Sequence, residues 1–237
     1  MKLVDLTLPS PADNLAADEA LLDQAEAGGD EVLRFWESPE PFVVVGYANK
    51  VATEVNVSAC QAAGIPVLRR CSGGGTVLQG PGCLNYALVL RITADGPFET
   101  ISAANWSIME RNRTALDTLL QRTVEVRGHT DLTVDGVKFS GNSQRRRKDF
   151  LLFHGTFLLN FDLSLISKFL PMPSKEPDYR NHRSHTDFLT NLNVSAESVK
   201  TALTAKWDAN VAADLPMEAV ARLVADKYSQ RNWNFKF

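Results

Sequence analysis

The chain has 237 residues, of which 44% are hydrophobic and 22% are charged, and its net charge is −3. This length suits one large or two small domains, and the hydrophobic content allows a sizeable core. The acidic balance argues against binding nucleic acid through bulk charge, and no apolar run is long enough for a membrane helix. We therefore expect a globular protein that has neither nucleic acid nor a membrane as its partner.

The three cysteines, Cys60, Cys71 and Cys83, are an odd number and form no C-x-x-C pair. Neither a disulfide framework nor a zinc site is expected, and a reducing cytoplasm fits this usage. The first twenty residues carry one lysine, no arginine and several acids, unlike a secretory signal or a mitochondrial transit peptide. The predicted location is the cytoplasm.

The first half of the chain alternates short strand-like and helical segments. Asp13 or Asn14 is suited to cap a helix that ends at Gly28-Gly29, and Ser58 to cap a shorter helix that ends at Gly64. The short apolar segments between them are typical of strands. In order, the predicted elements are a strand over Met1–Leu8, the first helix, strands over Val32–Trp36 and Phe42–Tyr47, the second helix, and strands over Ile65–Leu68 and Leu84–Ile92.

The second half contains the clearest helix, Ile101–Gln121, whose apolar residues recur at three- and four-residue steps. Asp135-Gly136 lies between two alternating segments and is typical of a two-residue hairpin turn. Phe150–Asn160 is apolar enough to be a strand that is covered on both faces. The remaining predictions are a short helix over 162–169, an ordered loop over 171–183, and helices over Ser195–Trp207 and Pro216–Gln230. Helices mixed with hairpins indicate the α+β class.

The stretch from Arg69 to Val77 reads Arg-Arg-Cys-Ser-Gly-Gly-Gly-Thr-Val and joins two predicted strands. Three consecutive glycines are poor helix and strand formers, because each loses the most backbone entropy on ordering. The spacing matches neither the Walker phosphate loop nor the dinucleotide fingerprint. Backbone N–H groups beside a guanidinium suit an anionic ligand, and the alternative is a glycine-rich surface turn.

Lys138 follows the predicted hairpin turn, in the sequence Val-Lys-Phe-Ser-Gly-Asn-Ser-Gln. On an ordinary strand such a lysine points to solvent, since lysine is seldom buried unless it is paired. The next strand is interrupted by His154-Gly155-Thr156, where an apolar run would pack better. A satisfied core histidine is the simplest explanation of His154 alone, but the polar triplet as a whole predicts contact with a ligand.

Four motifs in consistent order resemble the lipoate–protein ligase A family, which belongs to a wider group with biotin ligases and octanoyltransferases. They are Arg69–Val77, Gly82–Tyr86, Gly136–Gln144 and His154–Thr156, with supporting likeness in Asn14–Glu19, Trp36, Gly46, Arg183-Ser184 and Leu189–Leu192. The resemblance covers about residues 1–195. It implies a mixed, largely antiparallel sheet packed by helices, of the class II biotin/lipoyl ligase type. It also implies one catalytic domain over residues 1–237, ending in two short helices at about 195–230.

The resemblance implies a reaction in which lipoate or octanoate attacks the α-phosphate of ATP, giving an acyl-adenylate and pyrophosphate. The acyl group then passes to a lysine of an acceptor domain, and Mg²⁺ is expected with the triphosphate. Lys138 is the implied catalytic residue, over the acyl carbonyl and the phosphate. The residues implied to bind ATP or the acyl-adenylate are Arg70, Ser72, Gly73, Gly74, Gly75, Thr76, Val77, Leu78, Asn85 and Lys138. The acyl-pocket candidates are Gly74, His154, Gly155 and Thr156.

Three features depart from the family pattern. Related octanoyltransferases form a thioester with a cysteine near the motif lysine, but Gly128–Leu132 has none and no cysteine follows Cys83. Cys71 and Cys83 flank the glycines and are interpreted as small hydrophobic residues. Gln79-Gly80 stands where many members carry a His-Asp pair. Only about forty residues follow Leu192, so an accessory domain is either dispensable or a separate subunit.

The run Arg145-Arg146-Arg147-Lys148 is interpreted as a solvated loop, with docking of an acidic acceptor domain or contact with triphosphate as alternatives. The predicted function is ATP-dependent ligation of lipoate or octanoate to a lipoyl domain, such as glycine-cleavage H protein or 2-oxoacid dehydrogenase E2. One alternative is an octanoyl- or lipoyltransferase that uses an acyl-carrier donor. The other is an acyl-binding relative without turnover.

Overall fold

The computed structural model describes residues 1–237 and contains eleven strands. In chain order they are β1 (Lys2–Asp5), β2 (Val32–Glu37), β3 (Phe42–Val45), β4 (Val67–Arg69), β5 (Val77–Gln79), β6 (Cys83–Arg91), β7 (Val124–Arg127), β8 (Asp131–Val134), β9 (Val137–Arg146), β10 (Phe150–Leu158) and β11 (Val211–Ala212). Eight form a large sheet in the order β11-β1-β2-β6-β10-β9-β8-β7, and three form a small sheet in the order β4-β3-β5.

The large sheet is parallel only where β1 meets β2 and β11, and all its other neighbouring strands are antiparallel. In the small sheet, β3 is parallel to β4 and antiparallel to β5. The prediction of a mixed, largely antiparallel sheet is confirmed. The glycine loop, residues 70–76, connects β4 to β5, so it joins two strands of the small sheet, as the sequence predicted.

Nine α-helices accompany the sheets. They are α1 (Pro11–Glu26), α2 (Val51–Glu54), α3 (Val57–Ala62), α4 (Ile101–Leu120), α5 (Ser164–Phe169), α6 (His185–Phe188), α7 (Ala196–Lys206), α8 (Met217–Leu223) and α9 (Arg231–Asn234). A single 3₁₀ turn spans Asp178–Arg180, and a π-helical turn spans Val224–Tyr228 directly after α8. None of the helices combines the length and apolarity that crossing a membrane requires.

Each face of the large sheet packs against its own helices. One core contains Ile108 and Leu116 of α4 with Leu203 of α7, and the other contains residues of α1 and α8. Strand β10 separates the two cores, because Phe153 faces the first and Leu152 the second. A third core lies under the small sheet. Covering on both faces explains the nearly continuous apolar sequence of β10.

Three local predictions are wrong, and each error has a local cause. Ser10 caps α1 in place of Asp13 or Asn14, because its hydroxyl accepts the Asp13 N–H at 3.1 Å while the Asp13 carboxylate accepts the Ser10 N–H. Asn56 caps α3 in place of Ser58. Ile101, predicted on the buried face of α4, is 58% exposed in the first turn of the helix.

The hairpin at Asp135-Gly136 is confirmed, since both residues have positive φ (51° and 73°) between β8 and β9, as a type I′ turn requires. The run 145–148 is only partly the predicted solvated loop. Arg145 and Arg146 are half-buried at the end of β9 and pair with β10, whereas Arg147 and Lys148 are exposed in the turn that follows. Strand pairing therefore gives the first two arginines fixed directions.

Candidate active site

Arg70 organises the glycine loop from inside. Its guanidinium is buried and donates to the carbonyls of Gly73 and Gly75, with Nε also donating to the Ser72 hydroxyl at 3.1 Å. Burial lowers the pKa of Arg70 to about 10. Most N–H donors of Arg70 bond to atoms of the loop. The exception is Nη1, whose one contact is a long one of 3.5 Å to Val44 O. Direct phosphate binding by Arg70 stays a prediction, while its support of the loop is explicit in these contacts.

Arg69 points away from the glycine loop and is completely buried. Its guanidinium donates to the carbonyls of Gly46, Tyr47 and Asn49, and to those of Trp233 and Asn234 in α9. The two neighbouring arginines thus hold different parts of the chain. Arg70 fixes the loop, and Arg69 joins residues 46–49, which follow β3, to the C-terminal segment.

Ser72 ties the loop to the large sheet. Its hydroxyl lies 2.8 Å from the Ser143 hydroxyl on β9 and 2.5 Å from Nε2 of His154 on β10. On the other side of the imidazole, Nδ1 lies 3.2 Å from the Asp18 carboxylate on α1. A carboxylate only accepts, so Nδ1 carries a proton and donates to Asp18, while Nε2 faces the Ser72 hydroxyl. Ser72, predicted as a ligand residue, is fully engaged within the protein.

Asp18 is itself held by Arg34 on β2, with 2.5 Å between Nη1 and Oδ1 and almost no exposure on either side chain. Arg34 also donates to the backbone and side-chain oxygens of Asn14, one turn earlier on α1. A buried ion pair with several additional hydrogen bonds offsets its desolvation cost and permits one geometry only. The orientation of His154 is therefore set by α1 and β2.

A second polar row crosses the same face of the sheet next to His154. Asn85 on β6 lies opposite Thr156 on β10, which lies opposite Gly141 on β9. The Thr156 hydroxyl donates to Asn85 Oδ1 at 2.6 Å and accepts from Gln79 Nε2 at 2.8 Å. The Gln79 amide thus reaches down from the small sheet onto the large one, at the position where the sequence departs from its relatives.

Lys138 folds back over Gly141. A Cβ placed on Gly141 would lie 2.9 Å from Nζ of Lys138, so the ammonium occupies the space that a side chain would fill. Nζ lies 2.8 Å from Asp131 Oδ1, and the other oxygen of that carboxylate accepts from the Tyr179 hydroxyl at 2.8 Å. The lysine is neither buried nor simply solvated, since its side chain is 23% exposed.

The glycine loop and the lysine lie on the same face of β9. Gly74 stands over Ser143, because a Cβ on that glycine would lie 3.4 Å from the Ser143 Cβ, while the Lys138 ammonium stands over Gly141. Residues two apart on a strand are about 7 Å apart and share a face. Gly73 and Gly75 are exposed, and nothing lies within 4 Å of a Cβ added to either. The glycine loop and the Lys138 ammonium therefore stand over neighbouring positions on one face of β9.

Not every predicted residue belongs to this face. The Cβ direction of Gly155 points to the other side of the sheet, where an added Cβ would lie 1.7 Å from Oδ1 of Asn142, and its role as an acyl-pocket residue stays a prediction. The alternation of strand residues puts His154 and Thr156 on one face and Gly155 on the other. Leu78 is buried in the core below the small sheet, whereas Val77 is 38% exposed. Only backbone groups of Leu78 remain available to a ligand.

The cysteines provide no ionised thiol near this site. Cys60, Cys71 and Cys83 are all buried and unpaired. Burial raises the pKa of Cys71 and of Cys83 to about 12. Cys71 is next to Ser72 in sequence, but it packs in the core of the α1 face. Only a thiolate is a good nucleophile, so neither residue is activated.

No three His, Cys, Asp or Glu side chains converge as a metal-binding group. Asp131 is the carboxylate in contact with Lys138.

Four residues of the site were missed from the sequence: Asp18, Asp131, Ser143 and Gln79. Asp18 had a signal, since Asn14 and Asp18 are one turn apart on a helix face that otherwise bears apolar residues. Gln79 was noticed only as a departure. Asp131 and Ser143 carry no local signal, because ordinary strands contain such residues on their exposed faces.

Comparison with known proteins gives one consistent family. The model of the lipoyl protein ligase A/B catalytic domain matches residues 10–207. A protein of Aeropyrum pernix named "Putative lipoate-protein ligase A" is 30% identical, over 94% of this chain and 88% of its own. The octanoyltransferase LipM of Carboxydothermus hydrogenoformans is 28% identical, over 100% of this chain and 98% of its own. A crystal structure of lipoate-protein ligase A bound with ATP is 25% identical with a TM-score of 0.83, covering 99% and 98% of the two chains.

Proposed function

Because the chain belongs to the lipoyl protein ligase A/B catalytic domain family of enzymes, we propose that it is an ATP-dependent lipoate–protein ligase. In this proposal the carboxylate of lipoate or octanoate attacks the α-phosphorus of ATP. The new P–O bond gives an acyl-adenylate, and pyrophosphate leaves. The ε-amine of a lysine on a lipoyl domain then attacks the acyl carbonyl, an amide forms, and AMP leaves with the electrons of the broken C–O bond.

The observation that carries the proposal is the common face of Lys138 and the glycine loop, combined with thiols that are buried and protonated. Adenylation builds negative charge on phosphate oxygens. Backbone N–H groups of residues 73–76, held in place before the reaction, stabilise that charge without reorganisation, and the Lys138 ammonium adds a positive charge beside them. A relative whose structure contains ATP supports nucleotide use on this scaffold.

Mg²⁺ supplies charge neutralisation at the triphosphate when it is bound. In this proposal the acyl chain follows the face that bears His154 and Thr156, next to the apolar side chains of β2 and β6. Each buried CH₂ contributes about 0.8 kcal/mol, so an eight-carbon chain provides a large part of the affinity. The acceptor is then any lipoyl domain whose lysine reaches Lys138, and the name of a Thermoplasma acidophilum relative, "Lipoate-protein ligase A subunit 1", supports a separate accessory subunit.

The second candidate is an octanoyl- or lipoyltransferase that takes its acyl group from an acyl-carrier protein. It is favoured by the likeness to an octanoyltransferase over the whole chain and by the Gly80-Pro81-Gly82 sequence. Such an enzyme forms a thioester with a cysteine. The burial of all three thiols speaks against this route.

The deciding experiment incubates the protein with lipoate, labelled ATP, Mg²⁺ and an apo lipoyl domain. We expect pyrophosphate release and a lipoyl mass gain on the acceptor. Acyl transfer from octanoyl-carrier protein, without any ATP consumption, would instead identify a transferase.

A further inference from the structure

A group of cations lies along one border of the site in a chain whose net charge is −3. We call it the basic ridge. Three members, Arg145, Arg147 and Lys148, come from the end of β9 and the turn before β10, and three, Lys227, Arg231 and Lys236, come from the segment after α8. The second group lies outside residues 10–207 that match the family model. Two contacts join the groups into one surface.

The first contact is Tyr47. The Arg145 guanidinium lies 6.0 Å from the centre of its ring, and Lys236 Nζ donates to its hydroxyl at 3.2 Å. The pKa of Tyr47 is lowered, mainly by the hydrogen bond and charge of Lys236 and further by Arg145 and Lys227. The backbone N–H of Tyr47 donates to Ser72 O at 2.8 Å. This end of the ridge is therefore attached directly to the glycine loop.

The second contact is the buried carboxylate of Glu19 on α1. It lies 2.6 Å from Lys227 Nζ and 3.8 Å from the Arg147 guanidinium, which also pairs with Asp23 at 2.7 Å. Lys227 and Arg147 are thus neutralised in part. The other four cations, Arg145, Lys148, Arg231 and Lys236, have no carboxylate within ion-pair distance. Lys148, Arg231 and Lys236 are exposed.

Unpaired cations that border a site in an acidic protein have an electrostatic cost that a negatively charged partner removes. We propose that the basic ridge is the docking surface for the acceptor domain, and that the partner surface around the target lysine is acidic. Only the existence of an acceptor rests on the proposed function. Docking at this border brings the acceptor beside the loop that adjoins Lys138. Charges at the rim of an interface mainly set the association rate and its salt dependence.

The test measures binding of an acidic apo lipoyl domain to the full chain by calorimetric titration, without ATP, at about 20 mM and about 200 mM salt. The double variant Lys148→Glu/Lys236→Glu reverses two unpaired charges and removes no catalytic group. We expect affinity to fall about tenfold at low salt and by less at high salt. The matched control is Lys168→Glu, an exposed lysine of α5 away from the ridge, and it should bind as the unmodified chain does.

A second arm uses an acceptor whose carboxylates beside the target lysine are replaced by amides. The double variant should bind this neutral acceptor as well as the unmodified chain does. Equal loss for both acceptors, unchanged affinity for the acidic one, or a higher KM for ATP with acceptor binding intact would overturn the docking surface. Acyl-adenylate formation is followed separately. If the acceptor binds but no adenylate forms, the proposed function fails and the docking surface stands.

Discussion

The glycine-loop end of the site and the Lys138 end differ in how their donors are held. At the loop end, nearly all N–H groups of the buried Arg69 and Arg70 donate to backbone carbonyls. The Ser72 hydroxyl contacts three side chains, those of Arg70, Ser143 and His154. At the lysine end, one flexible side chain is held by a single carboxylate that it shares with Tyr179.

The rigid end and the flexible end meet two different requirements of the proposed reaction. Backbone N–H groups stabilise a phosphate best when they are fixed, because folding has already oriented them and no reorientation is needed during the reaction. An ammonium that serves two successive steps has to shift between the phosphate and the acyl carbonyl. A rigid loop facing an adjustable lysine meets both needs. The variants below disturb one end at a time.

The largest effect is expected for Lys138→Ala. Loss of one group that stabilises transition-state charge costs ~10²–10³ in rate, and the free energy of unfolding should stay nearly unchanged because the side chain is partly exposed. Single-turnover formation of the acyl-adenylate, measured beside Lys168→Ala as control, checks this. A fully active Lys138→Ala protein would remove the lysine from the mechanism.

Gly46→Ala tests the rigidity of the loop. A Cβ at this position would lie 2.1 Å from the Gly74 carbonyl oxygen, a backbone atom that cannot yield. We expect a loss of about 1–3 kcal/mol in the free energy of unfolding, measured by urea denaturation, and weaker nucleotide binding. Gly73→Ala is the control for stability, since a Cβ there meets nothing within 4 Å. Equal stability of the two variants would mean that the loop is not held against Gly46.

Gly141→Ala tests the adjustable end. The added methyl group would meet Nζ and Cε of Lys138 at 2.9 and 3.0 Å, and the end of a flexible side chain can move away. We expect little change in stability and about tenfold slower turnover, because a misplaced group loses much of its effect. Urea denaturation and kcat measurements are compared in the same protein. Unchanged turnover would show that the position of the ammonium over Gly141 is not the reactive one.

The smallest effect on turnover is expected from the thiols. With a pKa of about 12 in the fold and about 8.5 when unfolded, Cys71 and Cys83 bind their protons more firmly in the native state. Their contribution to stability is complete below about pH 8.5 and is lost as the pH rises towards 12. Native protein at pH 8 should react slowly with iodoacetamide, and Cys71→Ala/Cys83→Ala should keep its ligation activity. Rapid labelling of either residue, or an inactive double variant, would favour the thioester route.

Several structural features of this protein could be predicted from short stretches of its sequence. The hairpin turn follows from Asp135-Gly136, because few residues other than glycine, asparagine and aspartate adopt positive φ readily. The two-sided burial of β10 follows from its apolar sequence. The polar triplet within it was interpreted as one unit, but period-two alternation places His154 and Thr156 on one face of the strand and directs Gly155 to the other.

The sequence by itself determined the family, the α+β class and the strand-to-strand glycine loop, because these depend on motifs and on residues close in the chain. Only the tertiary structure decided which hydrogen-bond donors of the site remain free to bind a ligand. Arg70 and Ser72 were both predicted as ligand residues from the sequence, yet their hydrogen bonds are largely used within the protein. The partners of Ser72 outside the loop, Ser143 and His154, lie 71 and 82 residues further along the chain. Partner choice over such separations depends on packing, which no local pattern records.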